Sequence, residues 1–426
     1  MQKFFQIFKI KELRDKILIV AFLLLCFRAL AIIAIPNIDA ARLKDFFASN
    51  QLLGFFNLFS GGGLENLSIV MLGVAPYITA TIIMQLLTMI FPSFKAMYYE
   101  EGAAGKAKFN RYSRYLTVPL ATLQGYGFLN LLASQNIIQS VELLSIGTLR
   151  SIILITAGTL ILMWIGELIS EQKIGNGISL IIFAGIVSSL PRVIQGLYLD
   201  YQAGALVVDT VVVFIVVAIL VIAGVVFIQE GERKIPIAYA KRVRGTKMYG
   251  GAQSYLPLKV NQAGVIPIIF AISILLFPQF LAQISSVVSS NLSLKLNEIV
   301  TNLFNNQYFY SAIYFALVVI FTYFYTAITF DPKEIAKNLQ NAGGFITGIR
   351  PGESTAIILS KIINRLTLSG AIFLGVIAIL PNLTQMVTGI QFLTLGGTAL
   401  LIVVSVALEI MKQIESQLVM REYEGV

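Results

Sequence analysis

Histidine is missing altogether from the 426 residues. Its absence excludes HExxH metal chemistry, Ser-His-Asp triads and histidine proton relays. Cysteine occurs once, at Cys26 inside an apolar run. A lone thiol makes no internal disulfide and reads as a small buried apolar residue. Charge is scarce: Asp, Glu, Lys and Arg make up 12% of the chain, against roughly 25% in an ordinary soluble domain. There is no GxxxxGK[ST] phosphate loop. The nearest stretch, EGAAGKAK at 101–108, has the wrong spacing and no strand before it. Neither a metal nor a cofactor is expected, and energy from ATP would have to come through a partner.

What fills the chain instead is apolar. The sequence is 57% hydrophobic, with a mean hydropathy of +0.82, which predicts a polytopic membrane protein, since each span needs about 20 apolar residues. Ten runs qualify: 17–35, 69–91, 115–133, 151–169, 178–199, 205–228, 263–281, 308–330, 366–383 and 392–411. The charges fit that count. Of the 31 Lys and Arg residues, 25 fall in the segments that ten spans place on one side, four fall on the other, and Arg28 and Arg192 lie within runs. Loops rich in Lys and Arg stay cytoplasmic, so both termini are expected inside. The basic start, KFFQIFKIKELRDK, shows no cleavage pattern after its apolar run and reads as an amphipathic segment (1–16) leading into a retained first span. Arg28 is expected to snorkel toward the outer end of that span, and Glu167 to be solvated.

The external loop around 201–209 divides the runs five and five. Five is odd, so the second half enters the membrane in the opposite sense, as in many transporters and channels whose working site lies between inverted halves. The expected division is 1–16, then 17–200, then 201–411 with large cytoplasmic loops at 229–262 and 331–365, then a C-tail at 412–426.

Several stretches are unusual for membrane filler. GVAPYITATIIMQLLT (73–88) opens the second run with a proline. LMWIGELISEQKIGNGISLIIFAGIVSSLP (162–191) joins two runs by a tight turn. LPLKVNQAGVIPIIF (256–270), FDPKEIAKNLQNAGGFITGIRPGE (330–353) and GGTALLIVVSVALE (396–409) follow. Taken in this order, from FRALAIIAIPNIDA (27–40) to about Glu409, they closely resemble the SecY family, the channel-forming subunits of bacterial protein-conducting translocons.

The resemblance implies an all-α polytopic protein of ten transmembrane helices. Two inverted five-helix halves would close like a clamshell around a central pore, with a short re-entrant plug helix. It implies a passive channel for unfolded secretory polypeptides that also releases transmembrane segments sideways into lipid. The family's plug precedes the second span, where FNLFSGGGLENLS (56–68) stands. Within it Gly61, Gly62 and Gly63 each cost about 0.8–1.0 kcal/mol of helix stability relative to Ala, which makes the segment easy to displace. Phe56, Leu58 and Phe59 give it an apolar face, with Asn57 and Ser60 between. Read from its residues alone, the same stretch is an ordinary re-entrant loop capping a helix.

Matched to the family motif, the pore waist falls at Val74 and Ile78, Ile182, Ile269 and Ile274, and Ile402. Aliphatic side chains suit a seal that grips no particular peptide and gates by dewetting. The resemblance places a lateral gate between the second and seventh spans, at Gln85, Asn261 and Phe277. As amides near membrane depth, Gln85 and Asn261 read equally as helix-packing glue. Seven cations in 229–262 exceed what orientation requires. Lys241, Arg242, Arg244 and Lys247, with Arg350 at the tip of the next loop, are the implied docking residues for the ATPase SecA and for the ribosome, whose RNA is a polyanion. The family also implies SecE and SecG subunits, secretory and membrane-protein substrates, and the bacterial inner membrane. A secondary transporter of a small solute stays open on topology. Such proteins keep ionisable groups near the midplane, where this chain offers little beyond Arg28. No nucleophile motif or metal cluster supports an intramembrane enzyme.

Overall fold

The computed structural model describes residues 10–35, 57, 60–64, 66–134, 137–138, 145–202, 208–239, 242–244, 247–249, 253–285, 295–296, 298–300, 303–304, 306–388 and 396–424. Helices dominate. In chain order they are α1 (Lys11–Leu30), α2 (Ala75–Ile90), α3 (Pro92–Tyr99), α4 (Gly102–Ser134), α5 (Ile146–Glu171), α6 (Gly177–Gln202) and α7 (Val208–Glu230). Then come α8 (Ile266–Ile284), α9 (Gln307–Thr329), α10 (Pro332–Asn341), α11 (Glu353–Thr388) and α12 (Gly396–Glu424). Among the described residues, four helices are long and apolar enough to cross a membrane, or five if the bent pair α2–α3 counts as one span.

Local chemistry sets the boundaries. The run 69–91 is not helical throughout. Residues 66–74 make successive turns, with Gly73 at φ +57°, and the helix begins only at Ala75 with Pro76 in its first turn. Pro lacks an N–H and is tolerated there. The residue before a proline is pushed to extended backbone. Phe91 obeys at φ −109°, ψ 118°, and Pro92 restarts the chain as α3 at 110° to α2. Tyr99 ends α3 and donates its hydroxyl to the Ile328 carbonyl at 2.8 Å. Burial, aided by Tyr98, Asp331 and Glu334, pushes that phenol up to about 12. The α5–α6 turn is closed by side chains. Asn176 Oδ1 accepts from Ile178 N at 3.0 Å, and Ser170 Oγ accepts from Gly177 N at 2.9 Å.

Two expectations need correction. The chain is not all-α: β1 (Glu232–Tyr239), β4 (Gln253–Lys259) and β5 (Gly344–Ile346) form a sheet in the order β4-β1-β5, and β2 (Arg242–Arg244) pairs with β3 (Lys247–Tyr249). The loops at 229–262 and 331–365 are therefore not separate. Antiparallel pairing of Ile237 with Ile346 ties them together. Most of the segment 331–365 is helical, in α10 and the start of α11 at Glu353. The sheet has its own small core: Ile235, Leu258, Ile346, Leu359 and Ile363. A third cluster packs Leu13 of α1 against Leu418 of α12.

The main core is one contiguous cluster. Within the first half α2 packs on α4, α4 on α5 and α5 on α6, and within the second α9 packs on α8 and α11, and α7 on α12. The most extensive contacts between α1–α6 and α7–α12 run along two seams, α8 against α2 and α4, and α12 against α6.

Candidate functional site

The six aliphatic residues come from the elements that meet at those seams. Val74, Ile78, Ile182, Ile269 and Ile402 are almost entirely buried and belong to the main core. Ile274 is half-buried and packs against it. Val74 is the N-cap of α2 rather than part of it, and its carbonyl accepts from Ile78 N at 3.0 Å. Val74 thus joins the turn segment to the first turn of α2.

Two of these residues, Ile78 and Ile269, also line a recess of about 210 Å³. Gln85, Tyr77, Thr81, Ser170, Asn176 and Glu167 give it a polar wall. Glu167 is not free in solvent: Arg114 of α4 holds it at 2.7 Å. The Gln85 side-chain oxygen is buried with no hydrogen-bond partner among the described residues. Asn261 sits just before α8 and donates to Gln229 and to the Gly264 carbonyl, both at 3.0 Å. The third gate residue, Phe277, is exposed on α8. Gln85 and Asn261 do not meet each other. The first faces the recess and the second closes the base of the β1–β4 hairpin, where Val260 N donates to Gly231 O at 2.9 Å.

The three-glycine segment is packed into the core. Ser60, Gly61 and Gly63 are buried. Gly61 and Gly62 have φ of +67° and +77°, a region that side chains with a Cβ rarely adopt. Ser60 Oγ accepts from Leu64 N and donates to the Asn57 carbonyl, each at 3.0 Å. The exit of the segment lies along the end of α1: Ile35 N donates to Leu67 O at 2.9 Å and Ile69 N to Ile33 O at 3.0 Å. Gly158 of α5 leaves room for this backbone, since a Cβ there would collide with the Ile69 carbonyl. Phe56, Leu58 and Phe59 lie outside the described residues.

Arg28 is half-buried and has an acceptor within the protein. Its Nη1 donates to the Gly61 carbonyl. Sequence reasoning missed this contact and the Arg114–Glu167 pair, because the partners are 33 and 53 residues apart. The available signal was the cost of a cation in an apolar run, which demands an acceptor.

Of the basic residues, Arg242 and Arg244 stand on β2 and Lys247 on β3, with Arg244 paired in register to Lys247. Lys241 lies outside the described residues. Arg350 is exposed in the turn after β5, and its carbonyl accepts from Thr355 Oγ1 at 3.0 Å. The first three thus stand on the two-stranded β2–β3 sheet, whereas Arg350 follows β5 of the β4-β1-β5 sheet. Among the described residues, no cluster of acidic or cysteine side chains could hold a metal.

A family model described as SecY matches residues 68–411. The protein translocase subunit SecY of Mycobacterium bovis is 44% identical, covering 97% of each chain. That of Corynebacterium glutamicum is 43% identical over 100% of this chain and 99% of its own. That of Thermotoga maritima is 42% identical over 100% and 97%. Two solved structures share the fold: a protein-conducting channel, at a TM-score of 0.66 and 19% identity over 93% of this chain and 91% of the other, and Sec61 in a canine ribosome–channel complex, at 0.64 and 18% over the same shares.

Proposed function

The chain belongs to the SecY family, and from that premise we propose that it forms a protein-conducting channel whose waist is the ring Val74, Ile78, Ile182, Ile269, Ile274 and Ile402. Membership sets aside both the small-solute transporter and an enzyme. The observation that carries the waist is the origin of its residues. They come from four of the five helices at the two seams between the halves, and all lie in or against the main apolar core. A narrow apolar constriction of this kind excludes ions by dewetting and offers a passing chain no hydrogen bonds.

Ten helices in two inverted halves, 17–200 and 201–411, make the clamshell. The segment 56–68 is the plug. The α2–α8 seam, with Gln85, Asn261 and Phe277, is the lateral gate through which apolar segments reach lipid. The basic platform of Lys241, Arg242, Arg244, Lys247 and Arg350 receives the ribosome and the ATPase SecA, which supply direction to a passive pore. SecE and SecG are its companion subunits. The membrane is the bacterial inner membrane, with the N-terminal segment 1–16 and the C-tail 412–426 inside, as the distribution of 25 of 31 Lys and Arg residues supports.

Photo-cross-linking tests the waist. A photoreactive side chain replaces Ile182, a secretory chain is stalled halfway, and the sample is irradiated. Val216, half-exposed on α7, is the control. Cross-links from position 182 and none from 216 are expected. Their absence at 182, with the passenger captured elsewhere, would overturn the placement.

A further inference from the structure

The glycine segment is tied to the frame of the protein at its tip as well as at its exit. Gly61 lies between α1 and α6: a Cβ there would overlap the Phe27 ring and approach Gly185 Cα to 3.1 Å. Phe27 is fully buried, so this contact is dry. From the next position on α1, Arg28 reaches the Gly61 carbonyl through Nη1. A guanidinium keeps its proton in a protein. At membrane depth it needs acceptors, and backbone carbonyls serve. The carbonyl is available because Gly61 takes φ +67°. The bonds around Ser60 behave differently. They join Asn57, Ser60 and Leu64 to one another, so they travel with the segment and do not restrain it against α1.

We propose that Arg28 is a latch: its hydrogen bond to Gly61 holds the glycine segment seated, and unseating the segment strips a half-buried cation of an acceptor. The inference rests on reading 56–68 as the plug. Arg28 is a positioning residue. It touches no passenger, and it sets how often the seated state is left. The arrangement gives a stretch of three glycines, weak as a helix, a tie to α1. A passenger that displaces the segment has this charge-assisted contact to break. Such bonds are about twice as strong as neutral ones, and losing one shifts an equilibrium by roughly tenfold or more.

The test uses the full-length chain with its companion subunits in proteoliposomes. Three variants are compared: wild type, Arg28→Lys and Arg28→Met. Resting ion leak is measured without passenger, and transport is measured for a precursor with an intact signal and one with a weakened signal. Arg28→Met is expected to raise resting leak about tenfold and to pass the weakened precursor, with intact-signal transport retained. Arg28→Lys keeps the charge with a single-point donor and is expected to fall between. If Arg28→Met does not assemble, Arg28→Lys alone decides, by a leak above wild type. Leak and signal selectivity equal to wild type in the assembled variants would overturn the latch. Failure of the wild type itself to transport the intact precursor would instead overturn the channel reading.

Discussion

Asn261 donates through Nδ2 to Gln229 Oε1 at 3.0 Å, joining the last turn of α7 to the residues just before α8. The β1–β4 hairpin leaves and returns between these two positions, so one side-chain amide closes its base. Asn261 is only 4% exposed. Its Nδ2 is fully used, with a second bond to the Gly264 carbonyl, and its oxygen has no partner among the described residues. The same amide therefore anchors the base of the β1–β4 hairpin to the helix expected to form the gate.

Asn261→Leu removes the donor and leaves Gln229 facing an apolar group. An unmet buried polar atom costs about 1–3 kcal/mol. The purified variant is expected to melt several degrees lower. If Asn261 also guards the seam, test segments of marginal hydrophobicity will partition into lipid at a different threshold. A melting curve unchanged from wild type would show that the hairpin base is held by backbone contacts alone.

Leu359 tests the platform from beneath. It is fully buried in the small core under the sheet with Ile235, Leu258 and Ile346. Leu359→Ala is expected to cost about 2–5 kcal/mol locally. Hydrogen exchange in β5 should quicken, and ribosome or motor binding should weaken although no basic residue is altered. Arg350→Glu is the complement: exposed, it should leave exchange in β5 as it is and abolish coupling. Normal binding by both variants would remove the platform from the docking surface.

Gly158 and Gly147 stand on the same helix and predict opposite outcomes. A Cβ at Gly158 would collide with the Ile69 carbonyl, while at Gly147 the nearest atom is Ser145 Oγ at 3.6 Å. Gly158→Ala forces the turn segment away from α5 and is expected to cost about 1–3 kcal/mol. Gly147→Ala is expected to be neutral or to stabilise by up to about 1 kcal/mol. Thermal melting of the two variants side by side measures the difference, and equal melting temperatures would mean that the segment is not packed against α5.

Long apolar stretches were legible because a helix in lipid must satisfy its own backbone: the run 151–169 lies within α5, and 308–330 within α9 but for its last residue. The boundaries were not. Hydropathy does not register that Gly73 turns the chain at positive φ and delays α2 to Ala75. Nor does it register that α11 carries polar residues from Glu353 ahead of its apolar part. The sheet was invisible for another reason: β5 is three residues long and pairs with β1 more than a hundred positions away, so no local periodicity announces it. The six waist residues carry no chemical mark of their own. Only a resemblance to a family could single them out from the other aliphatics in the core.

The waist makes the sharpest demand on side-chain chemistry. Ile182 is completely buried, in the cluster that also contains Val74, Ile78, Ile269 and Ile402. If this cluster is the seal, what matters is that it stays dry rather than that it holds one shape. Ile182→Leu conserves volume and apolarity, and such swaps usually cost less than about 1.5 kcal/mol. Its resting conductance in a planar bilayer is expected to match wild type. Ile182→Asn keeps a similar size but offers water two polar atoms in the constriction. Dewetting is then lost, and resting conductance should rise several-fold without any passenger. A rise in both variants would mean that volume governs the seal, and a rise in neither would place the constriction elsewhere in the core.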